Sequence, residues 1–289
     1  MLILQGLLDR TRDEGTASAH ADSPIQRLDE IILEGNVHSH GHIVAHSAGA
    51  APVIALHATI SVVHRSGGIR IDEARRRLRQ LPSPLPAGPA VLDPVVVGQF
   101  VAWPDWMRPT AGVAPRDAAG LVLLVPGPDG EAHVILTERP AGGMRHPGQI
   151  SLPGGAAEPA DDFPVGTALR EAREEIGLDP VAAGVEILGT LDVVDVRVSG
   201  FMLVPVIAVA ARVPALSRHE REVAAILSVP VSTFLPGAPI RIVETERDGY
   251  RLRYGAFPFG DHQIWGATAR VLGQLGALLD GSRRAARRS

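Results

Sequence analysis

The sequence predicts a layered α/β domain with a mixed β-sheet, and three features of its 289 residues predict it. Residues 118–125 and 201–211 are continuous apolar runs, too short to cross a bilayer and suited to buried strands of a covered sheet. Residues 164–176 carry an apolar stripe at helical spacing. Further strand-like runs are mixed among helices without the strict alternation of an all-parallel sheet.

Taken in order, residues 1–68 show neither a helical nor a strand period and form a leader, read as a disordered extension or a mis-assigned start. Within it His38, His40, His42 and His46 have a spacing that can converge on one ion, but no carboxylate accompanies them. The folded domain is placed at residues 69–282, with a solvated basic tail at 283–289. It opens on an amphipathic, arginine-rich helix from Ile71 to about Gln80. Pro82, Pro84, Pro86 and Pro89 then impose an extended connector. Residues 118–125 and 132–137 flank Gly127-Pro128-Asp129-Gly130, which predicts a hairpin. A Gly-rich loop leads to the helix at 164–176, ended by Gly177 and then Pro180. Strands are predicted at 185–194, 201–211, 226–234 and 241–246. A last helix is predicted at about 263–279, with Phe257 and Trp265 packing against it.

Composition narrows the function. Cysteine is absent, which excludes disulfides, zinc knuckles, iron–sulfur ligation and a thiol nucleophile. A net charge of −4 gives no ground for a dedicated nucleic-acid binder. All 28 basic residues are arginine, which together with abundant Ala, Gly and Pro points to a GC-rich genome. Residues 1–8 are apolar but short, lack a basic leader and run into Asp9-Arg10, so no secretory signal is expected and the chain is assigned to the cytoplasm. Residues 43–63 have the length of a membrane span, yet His46, Pro52 and His57 make them a poor hydrocarbon segment, and no membrane association is expected.

The chemistry lies on the helix at 164–176. With Glu171 at zero on a helical wheel, Val165, Leu169, Ala172 and Ile176 fall within roughly 60° of arc centred near 130°. Glu171, Glu174 and Glu175 lie at roughly 0°, −60° and +40°. Three carboxylates therefore share a face beside the buried stripe, and the pair Glu171 and Glu175 destabilises an isolated helix by about 0.2–0.5 kcal/mol. Arg170, four residues before Glu174, can pair with it but cannot neutralise three acids. A hard divalent cation can, because oxygen ligands with room for water suit Mg²⁺. The alternative is a solvated acidic face. Immediately upstream, Ser151-Leu152-Pro153-Gly154-Gly155 is a tight turn whose backbone can approach a metal–phosphate group closely.

Arg170-Glu171-Ala172-Arg173-Glu174-Glu175-Ile176-Gly177-Leu178, following Gly155, resembles the signature of the Nudix hydrolases, Gx5Ex7REUxEExGU. The C-terminal half matches at every fixed position. The N-terminal half departs: counting forward from Gly155 reaches Asp161 and counting back from Arg170 reaches Asp162, so the loop is one residue longer and Asp replaces Glu. Such a loop resembles the coenzyme A pyrophosphatase subgroup, as does the stretch ahead of it, Leu136-Thr137-Glu138-Arg139 and then Met144-Arg145-His146-Pro147-Gly148-Gln149-Ile150-Ser151-Leu152-Pro153-Gly154-Gly155. Ser199-Gly200-Phe201 and Ile264-Trp265-Gly266-Ala267-Thr268-Ala269 are also similar to the subgroup, so the resemblance covers about residues 70–280.

The resemblance implies a Nudix-like α/β/α sandwich and a hydrolase using Mg²⁺ or Mn²⁺. The expected reaction cleaves the pyrophosphate of coenzyme A or acyl-CoA to 3′,5′-ADP and 4′-phosphopantetheine or its acylated form. The alternatives are pyrophosphatases of ADP-ribose, NADH or a damaged nucleotide, and a non-catalytic nucleotide sensor on the same scaffold. By residue-wise match the metal ligands are Glu171, Glu174 and Glu175 with the Gly155 carbonyl, and Arg170 orients the acids, mainly Glu174. Glu171 or Glu175 can act as general base, and Glu222 is the candidate from outside the signature. Arg139, Arg145 and His146 are candidates to meet substrate phosphates, with Gln149 and Ser151 orienting the Gly turn. Asp161 and Asp162 are expected to cap the helix at Phe163-Pro164. The expected partner is a small molecule, with oligomeric state left open.

Overall fold

The computed structural model describes residues 68–98, 114–140, 148–197, 199–247 and 250–280. The expectations for the leader and its histidines, for residues 43–63 and for the basic tail lie outside the described residues, which all belong to the unit His64–Ser289.

The central sheet is built on β2 (Arg116–Pro126) and β8 (Phe201–Ala210), which pair in parallel. Every other pairing is antiparallel. β3 (Ala132–Glu138) and β4 (Ile150–Ser151) extend the sheet beyond β2, and β6 (Val185–Thr190) extends it beyond β8. β5 (Gly154–Ala156) also pairs with β2, β7 (Val194–Val196) with β8, and β9 (Ala225–Pro230) with β3. The sheet is therefore mixed, as expected.

β2 and β8 read as unbroken apolar runs because both of their faces are covered. Ala119, Leu121, Leu123 and Val125 point to one side, where they join Ala168, Ala172 and Ile176 of α2 (Val165–Ile176). Val122 and Leu124 point to the other, where they join Ala74 and Leu78 of α1 (Ile71–Leu78) and Leu272 and Leu275 of α4 (Gly266–Leu279). The result is a sheet between two helical layers. Truncating a wholly buried side chain such as Ile176 to Ala should cost about 2–5 kcal/mol.

The β2–β3 hairpin forms as predicted. Gly127 N–H donates to the Glu131 carbonyl at 2.7 Å, and Gly130 takes a φ of 78° that a side chain would strain. The proline connector is tied down by Gln274 of α4, which donates from Nε2 to the Pro86 carbonyl and to Asp192 Oδ2 and accepts from the Asp192 N–H.

Three predicted elements are revised. The strand expected at 185–194 is two: β6 runs through a register shift at Ile187–Gly189 to Thr190, residues 191–193 leave the ladder, and pairing with β8 resumes at Val194. The strand expected at 226–234 ends at Pro230 and tightens into a 3-10 turn, Val231–Phe234. The last helix starts at Gly266 because His262–Ile264 is a strand, β12.

A second, antiparallel sheet was not predicted. In it β11 (Tyr250–Phe259) lies between β1 (Val95–Val97) and β10 (Arg241–Arg247) and also carries β12. The alternation Tyr250-Arg251-Leu252-Arg253-Tyr254 was the available signal. Among the described residues no helix is long and apolar enough to cross a membrane.

Candidate functional site

The site begins where β5 is laid against β2. A Cβ on Gly154 would stand 2.4 Å from the Ala119 carbonyl oxygen, so the strands approach as closely as they do only because that position is bare. The neighbouring glycine has a different use. A Cβ on Gly155 would stand 2.6 Å from Glu171 Oε1, so the Glu171 carboxylate occupies the space a side chain would take. Glu175, one turn further along α2, accepts a hydrogen bond from Gly154 N–H at 3.0 Å. Both acids thus rest on the Gly154–Gly155 turn.

Both ends of α2 are fastened by groups that belong to the site. At the C-terminus Gly177 adopts φ 65° and closes the helix by donating back to Ala172 and Arg173. Two carbonyls left open there are met from the next segment, Ile176 by Ser217 N–H and Glu175 by His219 N–H. Val223 then bonds back to His219, and Ala224 N–H donates to the Glu138 carbonyl before β9 begins. This path carries Glu222 to the acids of α2.

At the N-terminus the expected caps are not caps. Pro164 holds the cap position without a side-chain bond, and Asp162 serves Gly166 N–H through its main-chain carbonyl. Asp161, only 8% exposed, accepts from Glu158 N–H and Thr167 Oγ1, both at 2.9 Å. It also binds Arg170, Nε to Oδ1 at 3.0 Å and Nη2 to Oδ2 at 3.1 Å. These bonds, Arg170's first, hold the Asp161 carboxyl far below the usual carboxylate range and raise Arg170 in turn. The expectation that Arg170 chiefly serves Glu174 is corrected: its largest partner is Asp161. The guanidinium also reaches the Ala156 carbonyl at 2.9 Å and Glu171 and Glu174 at 3.0 Å each. A chain of five donors on a planar fork explains how one residue spans four acceptors.

Burial pushes the Glu175 carboxyl up to about 7 despite the Gly154 bond, and the charges of Glu171 and Glu222 raise it further while Arg139 opposes them. Burial also raises Glu171, with Arg170 opposing and Glu174 and Glu222 adding to the rise. Glu171, Glu175, Glu222 and Arg139 therefore act on one electrostatic neighbourhood. Glu174 stays 54% exposed on Arg170, and among the described residues no three acids or histidines are already gathered as a closed metal cage.

Arg139 closes the loop before β4 through its backbone, its N–H on the Gln149 carbonyl and its carbonyl under Gly148 N–H. Gln149 is half-buried beside it. Ser151 is committed to the sheet, its Oγ 3.0 Å from Thr137 Oγ1. Arg145 and His146 lie outside the described residues.

The NUDIX domain model matches residues 114–239, which contain the turn, α2 and Glu222. An uncharacterized Nudix hydrolase, NudL, of Enterobacter sp. (strain 638) is 36% identical over 166 residues, covering 55% of this chain and 81% of its own. The chain belongs to the Nudix hydrolase family. The NudL protein of Cronobacter sakazakii (strain ATCC BAA-894) is 33% identical over 187 residues, covering 63% of this chain and 94% of its own. Among solved structures, the Nudix hydrolase RenU of M. smegmatis aligns at 28% identity and a TM-score of 0.36, over 42% of this chain and 74% of its own. Nudix hydrolases generally use divalent metal ions such as Mg²⁺ or Mn²⁺. In this Nudix hydrolase Asp161, six residues after Gly155, is the acid of the two that pairs with Arg170.

Proposed function

We propose that this Nudix hydrolase splits coenzyme A or acyl-CoA at its pyrophosphate, with Mg²⁺ or Mn²⁺, releasing 3′,5′-ADP and 4′-phosphopantetheine or its acylated form. The observation that carries the hydrolytic reading is the convergence of Glu171 and Glu175 on the Gly154–Gly155 turn. The substrate rests on the similarity of residues 136–155 to the coenzyme A pyrophosphatases.

The donor set fits a hard cation: carboxylates and a backbone carbonyl, with Glu171 and Glu175 both raised, first by burial and then by neighbouring carboxylate charge. Glu171, Glu175 and the Gly155 carbonyl would hold it, with Glu174 as the outer member. When bound, the cation supplies charge neutralisation for the pyrophosphate and makes the attacking water more acidic. Arg170 keeps Glu171 on the turn while anchored to Asp161. Glu222, carried in by the 217–224 path, takes the proton from the attacking water. Arg139 faces the same space and meets a substrate phosphate.

The test is release of 3′,5′-ADP from coenzyme A with Mg²⁺ or Mn²⁺, run beside dephospho-coenzyme A and ADP-ribose, with Glu174→Gln as control. Preference for coenzyme A, lost by orders of magnitude in the variant, supports the proposal. Hydrolysis of ADP-ribose alone would retain the reaction class and overturn the substrate.

A further inference from the structure

Phe257 and Trp265, expected together against the last helix, have different surroundings. Phe257 is 1% exposed and meets Phe234 edge-on, with ring centroids 5.1 Å apart. Trp265 is only half-buried and stacks on Tyr254, also half-buried, at 5.1 Å with the rings 29° from parallel. The register explains the pairing. Phe257 faces Ile264, so Trp265 follows opposite Ala256, and Tyr254 is its diagonal neighbour on the same face. Tyr254 is held in the sheet by β10, where it pairs with Val243.

The pair stands next to β4, the strand that leads into the Gly154–Gly155 turn. A Cβ on Gly266 would meet Gln149 Nε2 at 3.9 Å, and Thr268 donates from Oγ1 to the Ile150 carbonyl at 3.1 Å. Gln149 is bonded to Arg139, whose charge reaches Glu175. A short run of contacts therefore joins the stacked rings to the acids, with one phosphate-binding candidate between them.

We propose that Tyr254 and Trp265 form a stacking platform for the purine of a nucleotide whose pyrophosphate lies over the Gly154–Gly155 turn. A purine is the occupant this surface suits: it is flat, it is attached to the charged group at the required side, and it stacks on a preset aromatic without hydrogen-bond readout. The rings are already stacked, so little ordering accompanies binding. The inference deepens the proposed function and rests on it for the position of the pyrophosphate.

Tryptophan fluorescence tests the platform apart from catalysis. The metal-free protein is titrated with 3′,5′-ADP, and the expected result is a saturable quench that disappears in Trp265→Leu although Trp103 and Trp106 remain. In turnover, Trp265→Leu and Tyr254→Leu should raise the KM for coenzyme A roughly tenfold with a much smaller change in kcat, and Trp265→Phe should restore it. Equal melting temperatures identify the effect as local. An unchanged quench, or a loss confined to kcat, would overturn the platform. If no pyrophosphate is hydrolysed by the parent, the hydrolase reading fails while the quench still decides whether the rings bind a purine.

Discussion

Arg170 and Asp161 are joined by two parallel contacts, Nε to Oδ1 at 3.0 Å and Nη2 to Oδ2 at 3.1 Å, across the turn that enters α2. The pairing fixes the guanidinium so that its remaining nitrogens meet Glu171, Glu174 and the Ala156 carbonyl. Replacing Asp161 by Asn should lower activity about 10–100-fold, as loss of a group that orients a metal ligand does. The pH dependence of stability has a definite sign. Asp161 is depressed in the folded state, so its contribution is present above the unfolded pKa, near 3.8, and is lost as the pH falls toward the folded one. Thermal melts of the parent and Asp161→Asn between pH 7 and pH 3, without metal, should therefore differ by a steady amount down to about pH 4 and begin to approach each other only below it.

Gly154 and Gly155 are adjacent yet bare for different reasons, which separates folding from catalysis. Gly154→Ala sets a methyl against the Ala119 carbonyl and forces β5 off β2, at about 1–3 kcal/mol. Gly155→Ala sets it against the Glu171 carboxylate, a side chain that can move. We expect Gly154→Ala to melt lower, whereas Gly155→Ala keeps its melting temperature and loses most of its hydrolysis. Denaturation curves beside a coenzyme A assay make the comparison.

The central sheet and α2 were legible because local pattern and tertiary role agree. The continuous runs in β2 and β8 need two covered faces, and the stripe through Ala172 and Ile176 supplies one cover. The acids were legible because like charges crowd one helical face without enough cations. Less was visible where a long-range contact decides. Nothing local to Asp161 distinguishes a cap from the anchor of Arg170, and Trp265 resembles Phe257 until β11 sets which neighbour each meets. Gly189 sits at a register shift within β6, through a backbone angle that composition does not reveal. Glu222 was a candidate from its place before the 224–230 run, but the bonds that deliver it begin at the end of α2.

Glu175 is held in the site at a cost to the metal-free fold. Its folded pKa, about 7, lies above the ordinary 4.5, so the native state keeps a proton that the unfolded chain has released, and stability from this group is lost as the pH rises from 4.5 through 7. Glu175→Gln keeps an oxygen for the Gly154 N–H and removes the buried charge. Without metal the variant should be more stable than the parent at pH 8, by on the order of a few kcal/mol, with the difference shrinking toward pH 5 and gone near pH 4. Added Mg²⁺ should stabilise the parent and leave the variant unmoved. Calorimetry at pH 8 and pH 4, with and without Mg²⁺, reads all four states.

In the proposed reaction Glu222 takes the proton of the attacking water. It is exposed, lies 3.6 Å from His219 Nδ1, and adds to the charge that raises both Glu171 and Glu175, which places it facing the two acids proposed to hold the cation. The bond to Gly154 and the space above Gly155 are taken by Glu175 and Glu171, which suits Glu222 to the separate role proposed for it. Glu222→Gln should then reduce kcat about 10²–10⁴-fold while the binding of Mg²⁺ and of 3′,5′-ADP stays close to that of the parent. A loss of less than about tenfold would reassign proton transfer to Glu171 or Glu175, since a general base that contributes so little is not the one in use. The same variant with a weakened cation would instead make Glu222 a ligand, because removing a ligand lowers affinity before it lowers turnover of the loaded enzyme.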